Sequence, residues 1–224
     1  SDFLIGLTAP INYCGGEWFF TEDKDEEPLE IIDDNEKHIP LKHKKLFGIV
    51  SIPESLIDAI NYFVIICAIK DIRRSKGIID ATIRKEDKFD VMMINASIYS
   101  NIQEDLKCFI KEELDAIQNA IKANGASQFS SNDETLIRLE KTFNERVLQA
   151  KENQISWKNI LDQLIKMEKI TVVTTNSSSP DGNLNWKVDS PKKRIVVGGF
   201  MLSRGLTLNG LTVSYYKRNS VMYD

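Results

Sequence analysis

The chain has 224 residues, 42% of them hydrophobic and 28% charged, and a net charge of −4. These values describe a globular protein with enough apolar side chains for a substantial core, in one large domain or one and a half small ones. They do not advertise a nucleic-acid binder by overall charge. The best apolar run, Tyr62 to Ile69, is also far short of the roughly 20 residues of a membrane-spanning helix.

The amino-terminal stretch lacks the basic, apolar and small-residue regions of a secretory signal and begins abruptly at Ser1-Asp2, so a cut-out piece of a cytoplasmic protein is expected. Cys14, Cys67 and Cys108 are far apart, which favours free thiols in a reducing compartment. The two histidines, His38 and His43, fall in a loop-like basic stretch with no cysteine pair nearby, so no metal site is expected. Charge is unevenly placed. Glu22 to Glu36 is acidic, whereas Lys37 to Lys45 and Lys192 to Arg194 are basic, and all three read most simply as solvated loops.

In chain order, residues 1–50 look irregular, with strand-like pieces at Glu17 to Phe20 and Leu46 to Val50 around an exposed acidic loop. Ser51 with Glu54 forms the pattern of a capping box, and Leu56, Ile57, Ile60, Phe63, Val64 and Cys67 follow at helical spacing. Arg73 and Arg74 suit the last turn, and Gly77 ends the helix. Phe89 to Asn95 is a continuous apolar run, as expected of a central parallel strand covered on both faces. A long helix then carries Ile102, Leu106, Phe109, Ile110, Leu114, Ile117 and Ile121 on one face and stops at Gly125.

Two further helices follow. Ser131 with Glu134 caps the first, which buries Leu136, Leu139, Phe143 and Val147. Ser156 caps the second, which buries Ile160, Leu161, Leu164 and Ile165. Ile170 to Thr174 is a strand rich in β-branched residues, Asn176 to Asn183 is turn chemistry, and Trp186 to Val188 suggests a short edge strand. The strand Ile195-Val196-Val197 opens onto Gly198-Gly199, and a last strand runs from Leu211 to Tyr216. The sum is an α/β fold with a mostly parallel sheet flanked by helices.

No GxxxxGK[ST] loop, GxSxG elbow or HExxH is present. Pro180-Asp181 with Asn185-Trp186-Lys187 imitates a metal-dependent nuclease motif, but Asn185 stands where the second carboxylate is needed, so a turn is the better reading. The closing string is more telling. A strand that opens onto glycines and polar side chains is how open parallel sheets present ligand sites, and glycine lets backbone N–H groups approach a phosphate.

The string VVGG…LSRGLTL…GLTVSYY resembles the fifth sequence motif of superfamily-two helicases. Read from Gly198 to Asp224, it is still more similar to the Z-one domain family, bacterial proteins assigned as endonucleases that contain a helicase core and are often encoded beside restriction-type defence genes. The resemblance extends to Tyr13 to Phe20, to the helix Leu56 to Arg73 and to Val91 to Ser97, where Asn95 replaces the usual histidine. Family members continue past Tyr223-Asp224 into an arginine-bearing sixth motif.

The resemblance implies a second RecA-like lobe over residues 51–224, with a helical insertion at about 126–169, that works opposite a missing first lobe. It implies that Ser97, Gly198, Gly199 and Ser203 contact nucleic acid, with Asn101 a weaker candidate. Arg204, Gly205 and Thr207 would face the nucleotide cleft, Thr207 standing where many helicases have an aspartate. ATP, Mg and DNA are expected for the full-length protein, and catalytic silence for this piece alone. The competing expectation is a non-catalytic α/β module whose helical insertion docks a partner protein.

Overall fold

A computed structural model describes residues 29–79, 88–124, 132–147, 155–176, 184, 190–199, 202 and 208–217. By internal contacts the chain divides into Ser1–Asp33 and Asp34–Asp224, and every element below belongs to the second unit. Among the described residues four strands, β1 (Asp90–Asn95), β2 (Thr171–Thr175), β3 (Lys193–Gly198) and β4 (Leu211–Tyr216), form one sheet in the order β2-β3-β1-β4. All three pairings are parallel, as the apolar runs predict. The chain lays β2 and β3 on one side of β1 and then crosses to the other side for β4.

Among the described residues four α-helices accompany the sheet: α1 (Glu54–Ser75), α2 (Ser100–Asn124), α3 (Glu134–Thr142, continued as a π-turn to Val147) and α4 (Trp157–Lys166). α1 is apolar on nearly every side, from Leu56 through Ile60, Phe63, Val64 and Ile65 to Ile69. It is accordingly buried, packed against β4, α3 and α4. α2 turns Ile102, Leu106, Ile110, Leu114, Ile117 and Ile121 inward and covers β2 and β3. α3 and α4 pack on α1 and α2 through Leu136, Leu139, Phe143, Ile160 and Leu164, so these helices complete the core. Ile165 differs from expectation. It is 48% exposed, because one step beyond Leu164 turns its side chain toward a cavity of about 260 Å³ between α1, α2 and α4.

The strand alternation divides the sheet into two covered faces. Met92, Ile94, Ile195, Val197 and Val172 share the helical side, where the Thr174 hydroxyl donates to Glu104 of α2 at 2.5 Å. On the other side Phe89, Val91, Val196 and Leu202 form a second cluster with Met93, Val173, Leu184 and Leu208. β4 enters beside Phe89 through Gly210, whose φ of +74° and a Cβ position only 2.0 Å from the Phe89 carbonyl oxygen admit no side chain.

Two helix starts differ from the sequence pattern. Ser51 does not cap α1; its hydroxyl pairs with His38 Nδ1 at 2.9 Å, and Pro53 stands at the N-cap with no side-chain cap bond. Asp34 does the work from 21 residues upstream, accepting the Ser55 N–H at 2.8 Å and the Ser55 hydroxyl at 2.6 Å. Asp34 opens a short 3-10 helix, Asp34–Lys37, so the end of the acidic stretch is ordered rather than an open loop. α3 is capped by Asp133, which accepts from Thr135 and Leu136, in place of Ser131. Ser156 caps α4 as expected, in a reciprocal box with Asn159. Gly77, at φ +67°, follows the end of α1. Leu46 to Val50 forms no strand, and Glu17 to Phe20, Gly125 and Trp186 to Val188 lie outside the described residues.

The amino-terminal edge of the sheet is closed by charge. Asp90, 1% exposed, receives two hydrogen bonds from Arg74 at 2.6 and 2.7 Å, and ammonium groups from Lys70 at 2.6 Å and Lys193 at 3.1 Å. Lys193 also reaches Asp71 at 2.8 Å. The basic run Lys192 to Arg194 is therefore not a solvated loop: Lys193 enters this network, while Lys192 and Arg194 lie over the Phe89 ring on the opposite face. Burial works to raise the Asp90 carboxyl, but the Arg74 hydrogen bonds and the Lys193 and Lys70 charges outweigh it and hold it far below the usual carboxylate range. Burial likewise drives the neighbouring Cys67 thiol far up, which leaves it an inert core residue.

Asp90→Asn strands three cations around a neutral amide and is expected to destabilise the fold by about 3–5 kcal/mol, read from urea unfolding. A carboxyl depressed on folding contributes stability above its unfolded pKa and loses it as pH falls toward the folded one. Wild type should therefore weaken steadily below about pH 4, and Asp90→Asn should weaken less over that range.

Candidate functional site

The opposite, carboxyl edge is built from small and neutral groups. Asn95, Gly198 and Tyr216 stand level on β1, β3 and β4, with Thr175 beside Gly198. β1 leaves as Ala96-Ser97 and turns into α2 at Ser100. Ser97 is 5% exposed. Its oxygen accepts the Tyr99 N–H at 3.1 Å and lies 2.9 Å from His43 Nε2. His43 Nδ1 lies 2.6 Å from the Pro40 carbonyl oxygen. A carbonyl oxygen only accepts, so Nδ1 carries the hydrogen, and in the neutral ring Nε2 accepts the Ser97 hydroxyl.

This distance suits an activated hydroxyl, yet the small exposure of Ser97 and its bond from Tyr99 make the pair a fastener for the strand-to-helix corner. Gln103, buried at the first turn of α2, joins the neighbouring strand ends. Its Nε2 donates to the Ser97 carbonyl at 2.9 Å and its Oε1 accepts from Asn176 at 3.0 Å.

The paired glycines meet this corner. A Cβ on Gly199 would lie 2.6 Å from the Ser97 carbonyl oxygen and 2.8 Å from Gln103 Nε2; one on Gly198 would lie 2.8 Å from Leu202 and 2.9 Å from Thr175. Both positions therefore require glycine for packing, independently of any ligand. The structure thus brings Ser97, Gly198 and Gly199 together. Ser203, Arg204, Gly205 and Thr207 lie outside the described residues, as do Pro180, Asp181 and the Asn185 to Lys187 run. Asn101 neither caps α2 nor stands free: its amide donates to the Lys45 carbonyl at 2.6 Å.

Sequence reasoning missed what His43 and Asn101 accomplish together. They pin the basic segment Lys37 to Lys45 against the start of α2. The His43 ring sits edge-on to Tyr99 at 5.6 Å, and Ile39, 1% exposed, anchors the segment from below. Lys37, Lys42, Lys44 and Lys45 remain exposed on the outside of this hook. Helix N-termini favour anions, so an acidic chain presents a local cluster of positive charge where its sheet opens. Acidic groups share the neighbourhood: Glu36 is exposed at the base of the hook, and Glu104 is tied to Thr174 and Lys107. Among the described residues no group of histidine, cysteine, aspartate and glutamate is arranged to hold a metal ion, and no helix is long and apolar enough to cross a membrane.

A family model described as the Z1 domain matches residues 55–224. The chain belongs to the Z1 domain family. The matched span begins at Ser55, the residue that Asp34 holds, and includes the Asp90 network, the Ser97 corner and both glycines. The hook precedes the Z1 region. No curated protein and no solved structure matches the chain.

The corner makes a direct demand on Gly199. Gly199→Ala should cost about 1–3 kcal/mol in chemical unfolding, since the obstruction is backbone that cannot swing away. Gly48, which has nothing within 4 Å of a Cβ, serves as the control. Gly48→Ala should stay within about 0.5 kcal/mol of wild type.

Proposed function

We propose that this chain is one lobe of an ATP-dependent, DNA-acting motor of the helicase type, in an endonuclease of restriction or defence context. It would supply part of the nucleic-acid track and half of a nucleotide cleft. The observation that carries this reading is the carboxyl edge of an all-parallel sheet, where a Gly-Gly corner, the start of α2 and a pinned basic hook converge. Open α/β sheets bind their ligands outside the carboxyl ends of the strands, and phosphates favour such helix starts. Membership of the Z1 family supports the reading, as does the resemblance of Val196 to Tyr216 to a helicase motif. A RecA-like lobe is the fold that this reading assigns to the sheet and its helices.

In this scheme the backbone around Gly198 and Gly199, with Ser97 and Ser203, positions a strand by its phosphates and carries no sequence information. Arg204 is the charge that stabilises the phosphoryl group in transfer, reaching it across the cleft to a second lobe. The described strand ends bring amide, hydroxyl and glycine groups and no carboxylate. They suit phosphate contact, and Mg would be held from the partner lobe. The docking-module alternative has less support, because α3 and α4 spend their apolar faces on α1 and α2. Among the described residues of these helices it is left with exposed Ile137 on α3 and the groove beside Ile165.

The test is ATP hydrolysis by the protein carrying both lobes, with and without single-stranded DNA. DNA should raise the rate, and Arg204→Ala should lower the stimulated rate by about 10²-fold or more, as expected when a charge-stabilising group is lost from phosphoryl transfer. The 224-residue chain alone should turn over neither ATP nor DNA. An ATPase or metal-dependent nuclease rate from it would overturn the lobe assignment.

A further inference from the structure

Lys217, the first residue after β4, is the unusual group at the carboxyl edge. Its backbone N–H donates to the Asn95 carbonyl at 2.8 Å, which continues the β1–β4 pairing and fixes the stem in the sheet. The side chain is 10% exposed, and its ammonium has no hydrogen-bond partner. Such a group is costly to leave unsatisfied.

The nearest anion is Glu36, at 3.9 Å, too far for a hydrogen bond. Glu36 is 63% exposed and is already engaged, since its Oε2 accepts the Leu41 N–H at 2.9 Å. That bond ties the base of the hook to the place where Lys217 ends. Beside Glu36, the buried Asn35 donates to the Tyr215 hydroxyl at 2.8 Å while its own Oδ1 lacks a donor. Burial pushes the Lys217 ammonium downward, and the Glu36 charge only partly opposes this. One cation thus stands nearly buried and unsatisfied at the sheet edge, and the hook that Glu36 closes carries exposed lysines.

We propose that Lys217 and the hook lysines Lys42, Lys44 and Lys45 bind phosphate groups of a single nucleic-acid strand, with Lys217 as the inner cation and the hook as the outer rail. This rests on reading the carboxyl edge as phosphate-facing, and it adds residues that lie outside the glycine corner. A phosphate oxygen that displaces Glu36 brings the Lys217 ammonium from 3.9 Å to hydrogen-bond distance and satisfies it. The hook lysines then follow the strand as point charges, independent of base identity.

The test uses the 224-residue chain and needs neither ATP hydrolysis nor a second lobe. First, thermal unfolding is measured in inorganic phosphate and in chloride at matched ionic strength and pH. A ligand of the native state alone raises the midpoint. Phosphate should therefore give an increment over chloride in wild type. Lys217→Met, which keeps the stem and removes the charge, should abolish the increment while remaining at least as stable in chloride. Glu36→Gln should enlarge it. No increment in wild type, or one that persists in Lys217→Met, overturns the role of Lys217.

Second, a labelled oligothymidylate is titrated over a range of salt. Replacing Lys42, Lys44 and Lys45 together by Gln should weaken binding and reduce the log–log salt slope by about 2, at roughly 0.7 per phosphate contact on a single strand. An unchanged slope overturns the outer rail. Binding of ATP through Lys217 without binding of the oligomer overturns the nucleic-acid assignment. The motor reading fails separately, by an unstimulated ATPase in the two-lobe protein.

Discussion

One carboxylate holds the frame. Asp90 starts the central strand with 1% of its side chain exposed and gathers Lys70 and Arg74 from α1 and Lys193 from the neighbouring strand. Burying a charge is costly unless partners surround it, so α1, β1 and β3 can assemble in one register only, the one that brings all three cations to Asp90. That register sets Asn95 opposite Gly198 at the far end of both strands, and through it the whole carboxyl edge. An interaction at one end of the sheet thereby positions the groups at the other.

The two edges divide the labour of the sheet. At the amino edge charge is buried and neutralised in place, with Arg74 making a two-pronged bond that leaves the carboxylate little to offer a ligand. At the carboxyl edge the strands end in asparagine, threonine, glycine and tyrosine, and the cations stand outside on the hook or, at Lys217, inside without a hydrogen-bond partner. Unspent polar capacity marks the binding edge of an open sheet better than the presence of charge does. By that measure the Asp90 cluster, though its carboxyl is strongly shifted, is structural, whereas the quieter edge keeps polar groups that are not yet neutralised in place.

Much of the frame was legible in the sequence because it rests on local pattern. The unbroken apolar run at Phe89 to Asn95 reads as a doubly covered strand, and Leu211 to Tyr216 is bounded as observed. Ser156 caps α4 because its partner is Asn159, three residues away. Long-range contacts left no such trace. Ser51 and Glu54 carry the letters of a capping box, but Asp34 arrives from a folded-back segment and takes the helix start instead. His43 and Ser97 are 54 residues apart, and neither shows in its own neighbourhood that the other will meet it. Lys192 to Arg194 looked solvated because buried lysine is rare, and only the cluster around Asp90 makes it affordable. The Gly-Gly signal was real but ambiguous: the close approach it announced is to Ser97, Gln103, Leu202 and Thr175 of the same chain.

That ambiguity bears on the proposed contact between an acidic protein and a polyanion. Screening limits the reach of exposed charge to about 10 Å at moderate salt, so a net charge of −4 spread over the molecule matters less than the few groups within that distance of the strand ends. Those groups are assembled by neutral contacts. Asn101 grips the Lys45 carbonyl, His43 grips Ser97, and Ile39 is buried beneath them. None of the three carries a fixed charge, yet together they hold four lysines beside a helix start. The electrostatic character of this edge is thus a product of packing, and neither the overall charge nor the glycine motif would reveal it alone.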